Sequence, residues 1–169
     1  MKRSDRIRRL TTFALLASLA MILSFIESRI PAFVAIPGVK VGLANIAVLF
    51  ALYRLGTKEA ILISVIRIIA VSMLFGTPIS AIYSRGGALV SCTVMILLKK
   101  LTPATEVSVS VAGAVGHNIG QIVVACILLE TNFVIYYLPF LLLSGTIAGI
   151  VIGIVSALVI KRVKIKKQR

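Results

Sequence analysis

Acidic side chains are nearly absent from this sequence. Of its 169 residues only five are acidic, namely Asp5, Glu27, Glu59, Glu106 and Glu130. None lies in the middle of an apolar stretch, so a proton relay of membrane carboxylates is not offered. Nor is there a paired acidic motif of the kind that holds magnesium against a diphosphate. Cysteine is limited to Cys92 and Cys126, far apart and inside apolar stretches. With no CxxC pair, neither a metal site nor a disulfide framework is indicated. The one histidine, His117, leaves no HExxH motif, and no Ser-His-Asp set is visible. A GxxxxGK[ST] loop is missing too, which excludes nucleotide hydrolysis through that motif. These gaps argue against an enzyme, and no metal or cofactor is expected.

What is present is apolar. Hydrophobic residues make up 59% of the chain, and the mean hydropathy is +1.08. A soluble domain cannot hide that much apolar surface, so an integral membrane protein is expected. Lysine and arginine number 19, for a net charge of +14. So basic a chain raises nucleic acid as a partner. The cations, however, cluster at the ends of apolar stretches, as membrane topology requires, and nucleic acid is not expected.

The apolar stretches run over 10–25, 42–55, 58–75, 79–98, 107–129 and 133–160, the fourth interrupted by Gly86-Gly87. They predict an all-α fold: one integral membrane domain over 1–169, built as a bundle of six transmembrane helices. Basic tails flank it at about 1–9 and 161–169. The second stretch is short for a span of ~20 residues. The segment before it, broken by Pro31, Pro37 and Gly38, is therefore expected to dip into the protein. The amino-terminal stretch is basic and then apolar but lacks a clean small-residue cleavage site. It reads as a retained first helix.

With six spans, the basic clusters at 2–9, at Arg54 and Lys58, at Lys99 and Lys100, and at 161–169 all share one side. The positive-inside rule then puts both termini in the cytoplasm. The first outer loop departs from this, because Arg29 and Lys40 are balanced there only by Glu27. Cations placed against the rule point to a use other than topology.

Arg67 lies about nine residues from either end of the third stretch, so its guanidinium is expected near the bilayer centre. A charge at that depth costs at least ~2.5–3.5 kcal/mol on insertion scales. It persists where it meets a polar interior or an anion, and the sequence offers no acid at that depth. The missing anion is expected to be a ligand. Counting ~1.5 Å per helical residue brings other polar groups toward the same outer half. Asn45 falls about one turn below the outer surface, and Arg85 is roughly 9 Å down the fourth helix. His117 and Asn118 fall near the midplane, Gln121 a turn further out, and Lys40 at the mouth. Tyr83 is a further candidate for the lining.

In the fifth stretch Gly113, Gly116 and Gly120 form one narrow stripe that lets a neighbouring helix approach closely. His117 and Gln121 lie beside it, with Asn118 further round. The bland alternative is that His117 and Asn118 simply bond across to another helix. Gly145, Gly149 and Gly153, four apart, read as a packing seam. Ala14 and Ser18 mark a small-residue face on the first helix. Tyr136 and Tyr137 suit an interfacial aromatic belt, and the basic tail suits anionic lipid headgroups.

Two segments carry a family likeness: Pro37-Gly-Val-Lys40-Val-Gly42-Leu-Ala-Asn45 and Gly113-Ala-Val-Gly116-His117-Asn118-Ile-Gly120-Gln121. Together they resemble the small bacterial membrane proteins of the Gx transporter family, which carry the label heptaprenyl diphosphate synthase component I. The likeness spans nearly the whole chain. That family is similar in turn to the substrate-binding S components of energy-coupling-factor transporters. The resemblance implies a six-helix protein of the bacterial plasma membrane. Its first outer loop and outer helix ends would hold a vitamin-like small molecule. By the same likeness Ala14 and Ser18 would form a docking face for a coupling subunit driven by two ATPases. The synthase label fits the residues poorly as catalysis, since trans-prenyl synthases need clustered aspartates and Asp5 is the sole aspartate here.

Three readings follow. One is uptake of an anionic small molecule, vitamin-like or a precursor of isoprenoids or quinones, through Arg67, Arg85, Lys40, Asn45, His117, Asn118 and Gln121. The second is a non-catalytic membrane accessory of heptaprenyl diphosphate or menaquinone synthesis. The third is a structural membrane anchor.

Overall fold

Helices account for nearly all of the chain that the computed structural model describes, which is residues 3–29, 42–75 and 78–163 (side chains at 5, 28, 29, 75 and 78–81 excepted). They are α1 (Arg3–Arg29), α2 (Asn45–Arg54), α3 (Thr57–Phe75), α4 (Pro78–Leu101), α5 (Glu106–Leu129) and α6 (Leu138–Arg162), with a 3-10 helix at Phe133–Tyr137 before α6. No strand occurs among the described residues. The all-α expectation holds.

Among the described residues four stretches are long and apolar enough to cross a membrane: Arg6–Glu27, Ile82–Leu101, Glu106–Leu129 and Phe133–Arg162. The other two helices differ for separate reasons. At 10 residues α2 spans only ~15 Å, half of a bilayer core of ~30 Å. At 19 residues α3 is long enough, but it carries Lys58, Glu59 and Arg67.

Boundaries differ from the sequence expectation in three places. Helix α1 extends past 10–25 at both ends. Helix α4 is continuous through Gly86-Gly87, because those glycines serve packing rather than a break. A Cβ on Gly86 would overlap Val124 Cγ2, and one on Gly87 would lie 2.8 Å from His117 Nδ1. The last stretch divides at Leu138, where Pro139 sits in the first turn of α6 and suits a helix start.

The helices close a ring in the order α1, α3, α4, α5, α6, α2. Helix α2 reads as apolar all round, and such a helix is stable only when enclosed. Its residues Ala47 to Leu52 are all buried. All of them but Phe50 form the core with Ala17 and Ala20 of α1, Ala60 and Ile63 of α3, Met95 of α4 and Val109 of α5. On the other side α4, α5 and α6 pack through glycine. The α5 stripe meets α4, where a Cβ on Gly120 would come within 2.6 Å of the Gly86 carbonyl oxygen. The α6 stripe meets α5, with Gly149 against the Val111 backbone and Gly153 against the Val107 backbone. Both seams follow the small-residue rule for helices in lipid.

The basic end of the bundle is also cross-tied. Arg9 of α1 pairs with Glu59 of α3. Arg54 donates to the Ile160 carbonyl and Lys99 to the Leu52 carbonyl. These are last-turn carbonyls of α6 and α2, which a helix leaves without internal donors. The Lys99 ammonium also stands over the Tyr53 ring at 4.8 Å, and the Tyr53 hydroxyl donates to the Ala104 carbonyl at 3.1 Å. Cations placed at helix ends for topology therefore finish the helices as well.

Candidate functional site

A cavity of about 130 Å³ lies within the ring and is lined by residues of all six helices. Helical periodicity selects the liners. On α5 they are Ser110, Ala114, His117 and Asn118, and on α6 Gly145, Ala148, Gly149 and Ile152. Each set advances by three or four residues at a time or by neighbours on one face. Helix α3 presents Arg67, Ile68, Val71 and Ser72, and α1 presents Ser24 and Glu27. The lip is made by Gly42 and Asn45 at the start of α2, with Ser84 from α4.

Arg67 is the central group. Its Nη1 donates to Ser24 Oγ at 3.4 Å, a long contact. Its Nε is buried with no partner. A guanidinium brings five N–H donors, and a buried donor left unmade costs about 1–3 kcal/mol. Glu27 lines the same cavity, yet no direct ion pair joins it to Arg67 among the described residues. Its carboxylate instead accepts the Gly42 backbone N–H at 2.5 Å. Gly42 has φ +80°, a backbone state glycine adopts without the cost a side chain brings. This turn sets the start of α2 at the cavity wall. The positive end of the α2 dipole therefore opens on the same space as Arg67.

The structure treats the remaining predicted site residues unequally. Asn45, His117 and Asn118 join Arg67 in the lining. Asn118 also follows the bland alternative, since its Nδ2 donates to the Leu141 carbonyl of α6 at 2.5 Å. Arg85 does not join them. It is exposed, because one step of ~100° along α4 carries it away from its lining neighbour Ser84. Gln121 is buried but outside the lining, its stem packed where a Cβ on Gly87 would fall 2.9 Å away. Tyr83 is half-buried and also outside the lining. Lys40 lies outside the described residues. Ala14 and Ser18 are exposed on α1, whereas Ala17 and Ala20 face the core. Tyr136 and Tyr137 are exposed at the start of α6, as an aromatic belt requires.

Sequence reasoning missed the hydroxyl groups of Ser24, Ser72, Ser84 and Ser110, and it read Glu27 only as a loop acid. A signal was present. Ser24 and Glu27 are three apart, and Ser110 lies seven before His117, so each pair shares a helix face. Among the described residues no three of His, Cys, Asp and Glu gather as a metal site would require.

Loss of the Asn118 amide measures its structural share. Asn118→Ala is expected to lower stability by about 0.6 kcal/mol, and by no more than about 1.7, the range for hydrogen bonds between helices in lipid. Thermal unfolding in mild detergent checks this.

Arg67, with its partly unsatisfied guanidinium, thus shares a mostly apolar cavity wall with serine, asparagine, histidine and glutamate side chains, among helices long and apolar enough to cross a membrane. No curated protein and no solved structure matches the chain. A family model described as heptaprenyl diphosphate synthase component I matches residues 16–159. Since that match takes in the helices α2 to α5 entire and most of α1 and α6, this chain belongs to the heptaprenyl diphosphate synthase component I family.

Proposed function

We propose that the chain is the substrate-binding subunit of a membrane uptake system, resembling the S components of energy-coupling-factor transporters. Its substrate is an anionic small molecule, vitamin-like or a precursor of isoprenoids or quinones. The single observation behind this reading is Arg67, with a buried and unpartnered Nε in the wall of a cavity that also carries serine, asparagine and histidine side chains. Burying a cation is costly unless an anion or a set of acceptors meets it. In this reading Arg67 takes the anionic group, helped by the amino end of α2 and Asn45. His117 and Asn118 border the site from α5. Arg85 stands as an outer contact of the path, Gln121 supports the site from behind the α5 lining, and Lys40 is a further proposed contact for the anion. Both termini are cytoplasmic, the membrane is the bacterial plasma membrane, and α2 enters from the outer face; the dip expected of the segment before it lies outside the described residues. Ala14 and Ser18 would present α1 to a coupling subunit working with ATPases.

The family name favours a second reading: a non-catalytic accessory that holds a prenyl diphosphate synthase at the membrane. Purification of the tagged protein from its own membranes, followed by native mass spectrometry, separates the two. Uptake expects coupling and ATPase subunits with a small anion retained. The accessory role expects a soluble prenyl synthase instead and no small molecule that depends on Arg67. Recovery of the synthase alone would overturn the uptake reading.

A further inference from the structure

The charge balance and size of the cavity narrow its occupant. Resting on the uptake reading above, and narrowing its substrate away from isoprenoid diphosphates, we propose that the cavity takes a small zwitterion: a molecule with one anionic group for Arg67 and one protonated amine for Glu27. Two formal charges stand among the described lining residues, and they have opposite sign. A diphosphate brings at least two negative charges, and the one guanidinium and one carboxylate among the described lining residues do not balance them. The excess charge would stay desolvated, which a buried site does not tolerate. A simple monoanion satisfies Arg67 but leaves the Glu27 carboxylate facing its own like charge. A zwitterion answers both groups.

The geometry agrees. Arg67 on α3 and Glu27 on α1 line one space without a direct ion pair among the described residues. The two side chains face one cavity, and a ligand that carries both charges can meet each of them. Arg67 Nε is buried and unpartnered, which leaves that donor open to the anionic group of a ligand. Glu27 is held in place by the Gly42 N–H at 2.5 Å, and a carboxylate has further acceptor capacity beyond that one bond. The serine hydroxyls of α1, α3 and α5 can act as donor or acceptor to a ligand. Size sets the scale. A void of about 150 Å³ holds benzene, so a cavity of about 130 Å³ encloses a compact polar molecule. It does not enclose a heptaprenyl tail. The apolar part of its wall, Ile68, Val71 and Ile152, suits a short hydrocarbon spacer between the two charges.

The test uses the full chain in lipid nanodiscs and reads binding by calorimetry. The zwitterionic probes are β-alanine and γ-aminobutyrate. Propionate and butyrate are their amine-free counterparts, and inorganic pyrophosphate stands for diphosphates. The expected result is binding of the zwitterions, with the amine-free acids weaker by about tenfold or more, as loss of a charge-assisted contact predicts. Pyrophosphate gives no signal. Glu27→Gln keeps an oxygen acceptor for the Gly42 N–H, so the turn survives while the charge is lost. In that variant the preference for zwitterions disappears and the amine-free acids bind at least as well. If the amine-free acids or pyrophosphate match the zwitterions in the parent protein, and lose their binding in Arg67→Lys, the zwitterion proposal falls and the uptake reading stands. If no probe binds, or every probe binds Arg67→Lys and Arg67→Ala unchanged, both fall.

Discussion

Arg67→Ala is expected to abolish ligand retention while changing the stability of the empty protein little. The two effects have one cause. In the empty protein the guanidinium has only a long hydrogen bond to Ser24, with Nε unmatched. Removing it relieves a burial cost of ~2.5–3.5 kcal/mol on insertion scales, but it also leaves the Glu27 carboxylate of the same cavity without an opposite charge, so gain and loss largely offset. In the loaded protein the same change leaves the ligand anion without its counter-charge in a dry site. Breaking a buried pair that way costs about 3–5 kcal/mol, which is roughly two to three and a half decades in Kd. Retention is read by native mass spectrometry, and stability by thermal unfolding of the ligand-free protein. Arg67→Lys should fall between the two, since an ammonium keeps the charge but not the planar donor fork. A structural arginine would give the opposite pattern: a large loss of stability in the empty protein and unchanged retention in whatever still folds.

The second large effect belongs to the α4–α5 seam. Gly120→Leu is expected to prevent stable assembly, and Gly120→Ala to weaken it. The Cβ added at Gly120 would sit 2.6 Å from the Gly86 carbonyl oxygen and 2.9 Å from Val90 Cγ2. The first of these is backbone and cannot rotate aside. Overpacking of this kind costs about 1–3 kcal/mol and occasionally more, against a helix-propensity gain of about 1 kcal/mol for alanine over glycine. Leucine adds further volume where the first carbon already fails to fit. Gly116→Ala, on the same stripe, is the control. Its Cβ would meet Val94 Cγ2 at 3.3 Å, the end of a side chain, so the propensity gain should nearly offset the crowding. Thermal midpoints of the three variants in detergent rank them. Equal losses at Gly116 and Gly120 would show that the seam tolerates displacement of α4.

Much of this was legible in order of residue. The long helices α5 and α6 follow from uninterrupted apolar runs, and their glycine stripes from the four-residue repeat alone. Arg67 announced itself because a cation inside an apolar run has no cheap explanation. Asn45, His117 and Asn118 were placed beside it by counting rise along each helix. The same counting failed for Arg85 and Gln121. Depth is given by rise, but whether a side chain faces inward depends on rotation about the helix axis, and a step of ~100° is enough to reverse it. Ser84 lines the cavity and Arg85 does not. The serines went unread because a hydroxyl in an apolar helix can return its hydrogen bond to its own backbone. Thr93 does so to Leu89, and nothing in the sequence distinguishes it from Ser110.

The sequence by itself determined that this is an all-helical membrane protein with its cations gathered at helix ends and one arginine set inside an apolar run. Those properties are local: they depend on composition within a run and on the cost of charge in oil. Only the tertiary structure decided that α2 is the enclosed core, that α4 passes unbroken over the α5 glycines, and that Glu27 shares a cavity with Arg67. These depend on which helix meets which, and residues 27, 42, 67 and 117 come together through packing that no stretch of sequence contains.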